Sequence, residues 1–386
     1  MGWTVFKSIS LFFREFRISR ELMSENNKKP RTLVFYSEKD VYYQYYKETI
    51  DYILANSELD ICYISSDISD PVFANTNPRI KPFYLNFFLA TFFPMLDSKV
   101  IVMTMPDIER YYLKRSGKAH HVYMFHAIVS THLQYRFGAF DHYDSILCVG
   151  PHHRAEIEKS EMIYNLKPKR LVDCGYSMLE TIYQKHRASS GSGGEPVSRR
   201  KKILIAPTWG ESSILELCIM ELGGVLGDTE YDVVIRPHPQ YVRTRGKQLK
   251  EIAEKLAKYT NIRIESNLVA ETNIHNADIL ITDRSGIAFE YAFGTERPVL
   301  FIDTPLKINN PRYLELDCIP IEISSRERLG KSITIKEIPG ILPILSDFVA
   351  DYPRYRQQIL LFRGQYIYNW QGAAKACGEY IIGLCK

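Results

Sequence analysis

The sequence predicts an α/β protein of two doubly wound domains. Three observations predict it. Short continuous apolar runs alternate with stretches of helical period, the pattern of parallel strands covered by helices on both faces. The alternation stops once, at the Gly/Ser-rich run from Ala188 to Pro196, and then restarts. Finally, 386 residues exceed what a single hydrophobic core usually serves.

Taken in order, residues 1–30 read as a basic amphipathic helix. Over 3–23, Val5, Phe6, Ile9, Phe12, Phe13 and Phe16 share one face, with Lys7, Arg14 and Arg17 to the other side. That pattern suits a helix lying in the plane of an anionic membrane. The first domain is expected over 31–187. Its strands are read at Thr32–Ser37, Ile61–Ser65, Lys99–Thr104, His121–Ala127, Ser145–Gly150 and Arg170–Cys174. Its helices are read at Val41–Asn56, Tyr84–Phe93, Pro106–Lys114, His152–Asn165 and Leu179–His186. The linker falls at 188–200. The second domain, 201–344, restarts with strands Lys202–Ala206, Tyr231–Ile235, Ile262–Glu265, Asp278–Thr282 and Pro298–Ile302. Residues 345–386 read as helices that brace both domains.

Composition narrows the function. Residues 1–31 hold seven basic and three acidic side chains, which accounts for the whole net charge of +4. The neutral remainder argues against a nucleic-acid partner. The seven cysteines are odd in number and scattered, with no Cys-x-x-Cys pair, which predicts a reducing compartment and no zinc site. No apolar run reaches the length of a spanning helix, and Arg14 and Arg17 interrupt any signal-peptide core. The expectation is a cytoplasmic protein, peripheral on the inner face of the cell membrane.

The chemistry concentrates at strand ends. Asp278–Thr282 runs into Asp283-Arg284-Ser285-Gly286 and then a helix, which aims backbone N–H groups and a positive helix end at one point, as a phosphate requires. Glu290, one turn into that helix, is placed to accept hydrogen bonds from a ribose. Arg236-Pro237-His238-Pro239 follows another strand; two prolines cannot continue it, so Arg236 and His238 turn into the cleft as phosphate ligands, His238 as a cation. Thr208, in the loop Ala206-Pro207-Thr208-Trp209, is read as a contact to base or phosphate, with Trp209 lining the cleft. His126 ends a first-domain strand, where it can serve as general base for an acceptor hydroxyl. The other histidines nearby, among them His120, His121, His132, His152 and His153, show no metal-ligand spacing.

This ordered set resembles the CDP-glycerol glycerophosphotransferase family, teichoic-acid primases and polymerases of the GT-B type. The family's Trp-His-Gly element is matched by Phe125-His126-Ala127. Its Ala-Pro-Thr-Trp loop is matched by Ala206–Trp209, its Arg-x-His-Pro turn by Arg236–Pro239, and its Asp-x-Ser-Ser element by Asp283–Gly286. The resemblance covers roughly residues 100 to 305. Ala127 stands where the family has Gly, Gly286 where it has a second Ser, and Cys174–Met178 lacks a basic residue often found there.

The resemblance implies a bacterial transferase with two Rossmann-like domains facing across a cleft, acceptor domain first and nucleotide-donor domain second. It implies transfer of a polyol phosphate, glycerol phosphate foremost, from a CDP-activated donor to a polyol or glycan acceptor, lipid-linked or free, with release of CMP. His126 would be the base and His238 the diphosphate stabiliser; Thr208, Arg236, Asp283, Ser285, Gly286 and Glu290 would bind the donor. No cofactor or metal is implied. The competing readings are a GT-B glycosyltransferase or 2-epimerase using a UDP- or CMP-sugar, since fold does not fix function, and a non-enzymatic nucleotide-binding module.

Overall fold

The computed structural model describes residues 12–24, 31–191, 200–265 and 274–386. Two all-parallel sheets form it. The first has seven strands in the order β3-β2-β1-β4-β5-β6-β7: β1 (Arg31–Ser37), β2 (Ile61–Ser65), β3 (Ile80–Tyr84), β4 (Ser98–Met103), β5 (His120–Met124), β6 (Ser145–Cys148) and β7 (Arg170–Asp173). Helix α1 (12–24) precedes it. Helices α2 (Tyr43–Asn56), α3 (Pro151–Ile163) and α4 (Ser177–Gly191) are its longer helices.

The second sheet has six strands in the order β10-β9-β8-β11-β12-β13. They are β8 (Lys202–Ile205), β9 (Asp232–Ile235), β10 (Ile262–Ile264), β11 (Ile279–Thr282), β12 (Val299–Asp303) and β13 (Gly330–Thr334). Its helices include α5 (Ile219–Leu226), α6 (Gly246–Leu256) and α7 (Ile287–Thr295), followed by α8 (Ile341–Ala350), α9 (Tyr352–Tyr366) and α10 (Ala373–Cys385).

Continuous burial of the central strands explains their near-uniform apolar sequence: every residue of β2, β6 and β11 is buried. Each sheet winds outward, then returns past its starting strand. The reversal falls between β1 and β4 in the first and between β8 and β11 in the second, and such switch points open a crevice at the carboxyl ends of the strands.

Four readings are corrected. Residues 80–84, of which only Tyr84 fell in the expected helix Tyr84–Phe93, form strand β3 paired to β2; of that helix Leu89–Phe92 is α-helical. Residues 106–114 form turns, because Asp107 and Glu109 take left-handed φ values of 67° and 69° that a right-handed helix cannot contain. Strand β13 went unread; its sequence, Gly-Lys-Ser-Ile-Thr, carries little apolar signal. The linker expected from 188 begins inside α4, which is helical to Gly191; residues 192–199 lie outside the described residues.

The C-terminal helices do brace both halves. Arg363 on α9 donates to the Phe293 carbonyl at 2.6 Å and pairs with Glu296 at 3.1 Å in the second domain. Cys377 and Ile381 on α10 join the core beneath the first sheet. A direct bridge runs between the domains as well, where buried Glu322 accepts from the Ser130 N–H and hydroxyl.

Helix α1 docks on the first domain rather than standing free. Buried Glu15 accepts from the Asn86 and Phe88 N–H groups at 2.7 and 2.8 Å, and Leu22 enters the core. Phe12, Phe13 and Phe16 remain exposed and meet Phe87 and Phe88 in one aromatic cluster. The rest of the expected amphipathic face, Val5, Phe6 and Ile9, lies outside the described residues. Among the described residues no helix is long and apolar enough to cross a membrane.

Candidate active site

The donor-side elements meet at the switch point of the second sheet. β8 and β11 run in register, Leu204 opposite Leu280, so their terminal loops emerge side by side. Asp283 ties them together. Fully buried, it accepts from the Thr208 N–H (2.8 Å), the Thr208 hydroxyl (3.0 Å), the Ile214 N–H (3.2 Å) and the Arg284 N–H (2.7 Å). Expected to contact a donor, Asp283 and the Thr208 N–H and hydroxyl are spent on each other; they shape the loop. Beyond Asp283 the chain enters α7. Ala288 and Phe289 already donate to the Ser285 and Gly286 carbonyls at 3.1 Å, so the amides of Ser285, Gly286 and Ile287 precede the helical ladder and have no intrahelical acceptor.

β9 ends at Ile235, Arg236 follows it, and Pro237 and Pro239 keep the strand from continuing, as expected. His238 caps the short helix Pro239–Thr244: its Nδ1 accepts from the Gln240 N–H at 3.1 Å, which leaves the proton on Nε2. Burial, reinforced by the charges of Lys307, Arg236 and Lys39, holds its pKa near 4. That direction favours the neutral ring in the ligand-free chain, with Nε2–H as the donor it offers. Lys307 lies 3.5 Å from the centre of the Trp209 ring, whose own ring is 6.2 Å from that of His238.

On the first domain, His126 follows β5. Its Nδ1 lies 2.6 Å from the Thr104 hydroxyl at the end of β4, and burial lowers its pKa to about 4. Tyr42 and Tyr45 pack around it at ring distances of 5.0 and 6.1 Å. Glu38, just past β1, completes the crevice; burial, with the neighbouring Asp107 charge, raises its carboxyl to about 7 against the lowering effect of Lys39.

The two halves touch. A Cβ added at Gly286 would lie 3.0 Å from Val129 Cγ1 and 3.8 Å from Ala127 Cβ, so the phosphate-type helix start abuts the loop that carries His126. Tyr176, after β7, donates its hydroxyl to Glu290 Oε1 at 2.8 Å. Tyr45 feels the charges of both Glu290 and Arg236. The structure thus brings His126, Arg236, His238, Gly286 and Glu290 to one cleft, with Ser285 beside them. Four of the other first-domain histidines have hydrogen-bond partners: His120 bonds Ser145, His121 the Ala119 carbonyl, His132 the Cys318 carbonyl and His153 the Val129 carbonyl.

Sequence reasoning missed Glu38, Tyr42, Tyr45, Thr104, Tyr176 and Lys307. One signal was available for two of them. In the run Tyr42-Tyr43-Gln44-Tyr45-Tyr46, Tyr43 and Tyr46 are core residues, and Tyr42 and Tyr45, three apart, fall on the other face.

Comparison with known proteins bears on the family and the fold. The family model described as CDP-glycerol:poly(glycerophosphate) glycerophosphotransferase matches residues 18–308, well over half of the chain. No curated protein sequence matches it. Among solved structures, two variants of the wall teichoic acid polymerase TagF are similar. One, soaked with CDPG, gives a TM-score of 0.60 at 16% identity, covering 99% of this chain and 96% of that one. The other gives 0.62 at 17% identity, covering 100% and 96%. A UDP-GlcNAc 2-epimerase from Neisseria meningitidis bound to UDP-GlcNAc gives 0.57 at 12% identity, covering 91% and 100%. At these identities the likeness concerns the fold, which is the two-domain GT-B arrangement.

Proposed function

The chain belongs to the CDP-glycerol:poly(glycerophosphate) glycerophosphotransferase family and is on that ground a transferase of glycerol phosphate, and we propose that its interdomain cleft carries the reaction as follows. His126, neutral because it is buried, takes the proton of an acceptor hydroxyl through Nε2 while Nδ1–H is held by Thr104. The freed oxygen attacks the phosphorus that bears the glycerol. The bond from that phosphorus to the bridging oxygen breaks, and CMP leaves with the electron pair. Arg236, His238 Nε2–H, Lys307 and the amides of Ser285 and Gly286 receive the diphosphate charge, and Glu290 holds the ribose. These cations supply the neutralisation, so the reading calls on no cofactor.

The observation that carries this reading is the abutment of Gly286 on Ala127 and Val129, which sets a phosphate-suited helix start against the loop of the candidate base. Family membership goes against the sugar-nucleotide and simple-binding alternatives. The acceptor we infer is a polyol or glycan of a teichoic-acid-like cell-surface polymer in a bacterium. Exposed Phe12, Phe13, Phe16 and Phe87, beside exposed Arg14, Arg17 and Arg20, support docking on the inner face of an anionic membrane where a lipid-linked acceptor is presented.

The test is CMP release from CDP-glycerol in the presence of a polyol-phosphate acceptor. His126→Ala should lower kcat by about 10²–10⁴-fold at unchanged melting temperature. Full activity in this variant would remove His126 from the mechanism.

A further inference from the structure

We propose that Tyr176 of the acceptor domain is a positioning residue for the donor ribose, acting across the cleft by fixing the Glu290 carboxylate. The inference rests on the reading of Glu290 given above and adds a residue from the opposite domain to the donor site.

The geometry is built for this task. Tyr176 is buried, yet its hydroxyl reaches a carboxylate of the other domain at 2.8 Å. The turn that presents it is pinned from two sides. Cys174 and Gly175 both donate their N–H to the Cys148 carbonyl at 3.0 Å. Asn369, between α9 and α10, donates to the Asp173 carbonyl at 2.6 Å. Gly175 sits at φ +92°, and a Cβ there would lie 2.2 Å from the Tyr368 carbonyl oxygen, so the turn follows one path against the C-terminal brace. The ring of Tyr45, 6.1 Å away, flanks Tyr176.

Glu290 gains a fixed orientation from this contact. An ionised carboxylate has about four acceptor positions, and a single donor leaves capacity for a sugar hydroxyl. Without the Tyr176 hydroxyl the carboxylate can rotate, and the donor would have to order it on binding. Burial raises the Glu290 pKa, while Tyr176 and Arg236 pull it down, so the phenol also favours the ionised form that accepts from a ribose.

The experiment measures binding of CDP and 2′-deoxy- and 3′-deoxy-CDP by calorimetry, and KM and kcat with CDP-glycerol, for the full chain, Tyr176→Phe and Glu290→Gln. Tyr176→Phe keeps the ring and its packing, and the melting temperature reports that the fold is retained. The expected result is CDP binding weakened about tenfold, with KM raised in proportion and kcat within about twofold. Deoxy-CDP lacking the recognised hydroxyl should bind equally to all three proteins, so that the ribose preference of the full chain collapses in both variants. An unchanged ribose preference in Tyr176→Phe overturns the inference while leaving the proposed function intact. Failure of the full chain to bind CDP at all overturns both.

Discussion

At Gly286 the space of a side chain is taken by the other domain. A Cβ there meets Val129 at 3.0 Å, closer than ordinary packing allows, and Ala127 at 3.8 Å. Two of the three departures from the family pattern, Ala127 for Gly and Gly286 for Ser, therefore meet at one contact, with Val129 the closer neighbour. Gly286→Ser should force the loops apart and lower kcat/KM by about tenfold, since overpacking of this kind costs about 1–3 kcal/mol. Val129→Ala in the same chain should restore most of the loss, and a double-mutant cycle measures the coupling. Additive effects would show that residue size at this contact does not set the approach of the two halves. Asp283 illustrates the opposite case. It lies inside the motif that the sequence makes prominent, yet its partners Thr208 and Ile214 are about seventy residues away, so nothing local reveals that its oxygens are already taken.

Among elements, α1 carries a double pattern. Its inward face is narrow and partly polar: Glu15, Ser19 and Leu22 are buried, the first through two backbone N–H bonds. Its outward face exposes Phe13 at 65%, next to Phe87 at 71%. A periodicity argument sees one amphipathic helix; the fold shows a helix held by one side and offering aromatics on the other. Replacing Phe12, Phe13 and Phe16 with Ser should abolish sedimentation with phosphatidylglycerol vesicles, while Ser at Arg14, Arg17 and Arg20 should weaken it and remove its salt sensitivity. Sedimentation unchanged in the first variant would show that α1 is not the membrane contact. The start of α2 shows the same division of labour, with Tyr43 and Tyr46 in the core, and Tyr45 and the preceding Tyr42 toward His126.

For the molecule as a whole, burial sets the electrostatics around the two histidines. Burial is the leading cause for both His126 and His238, and for His238 the charges of Lys307, Arg236 and Lys39 add to it. The sign follows. A base must be neutral, and His126 is neutral above about pH 4, so kcat/KM should stay flat from neutral pH down to about 5 and fall only as pH approaches 4. An acid limb near 6.5, the ordinary value, would mean that the cleft is solvated. His238 should behave differently on loading. If His238 lines the diphosphate site as proposed, an adjacent anion favours the charged ring, so its pKa should rise on CDP binding while that of His126 moves less. Imidazole NMR titration with and without CDP checks both, and an unmoved His238 would remove it from the diphosphate site.

By itself the sequence determined the two parallel sheets, the strand ends where chemistry gathers, and the identity of Arg236, His238, Ser285, Gly286, Glu290 and His126 as the residues to watch. Those features are written in local grammar: apolar runs of strand length, prolines that stop a strand, a Ser-Gly that opens a helix. Tertiary structure alone decided which of them face one another. Tyr176 reaches Glu290 across 114 positions, Lys307 covers Trp209, and Thr208 closes on Asp283, because sheet register and domain approach bring together groups that no local period links. The pKa shifts also belong to that level, since burial comes from packing and is a property of no residue taken alone.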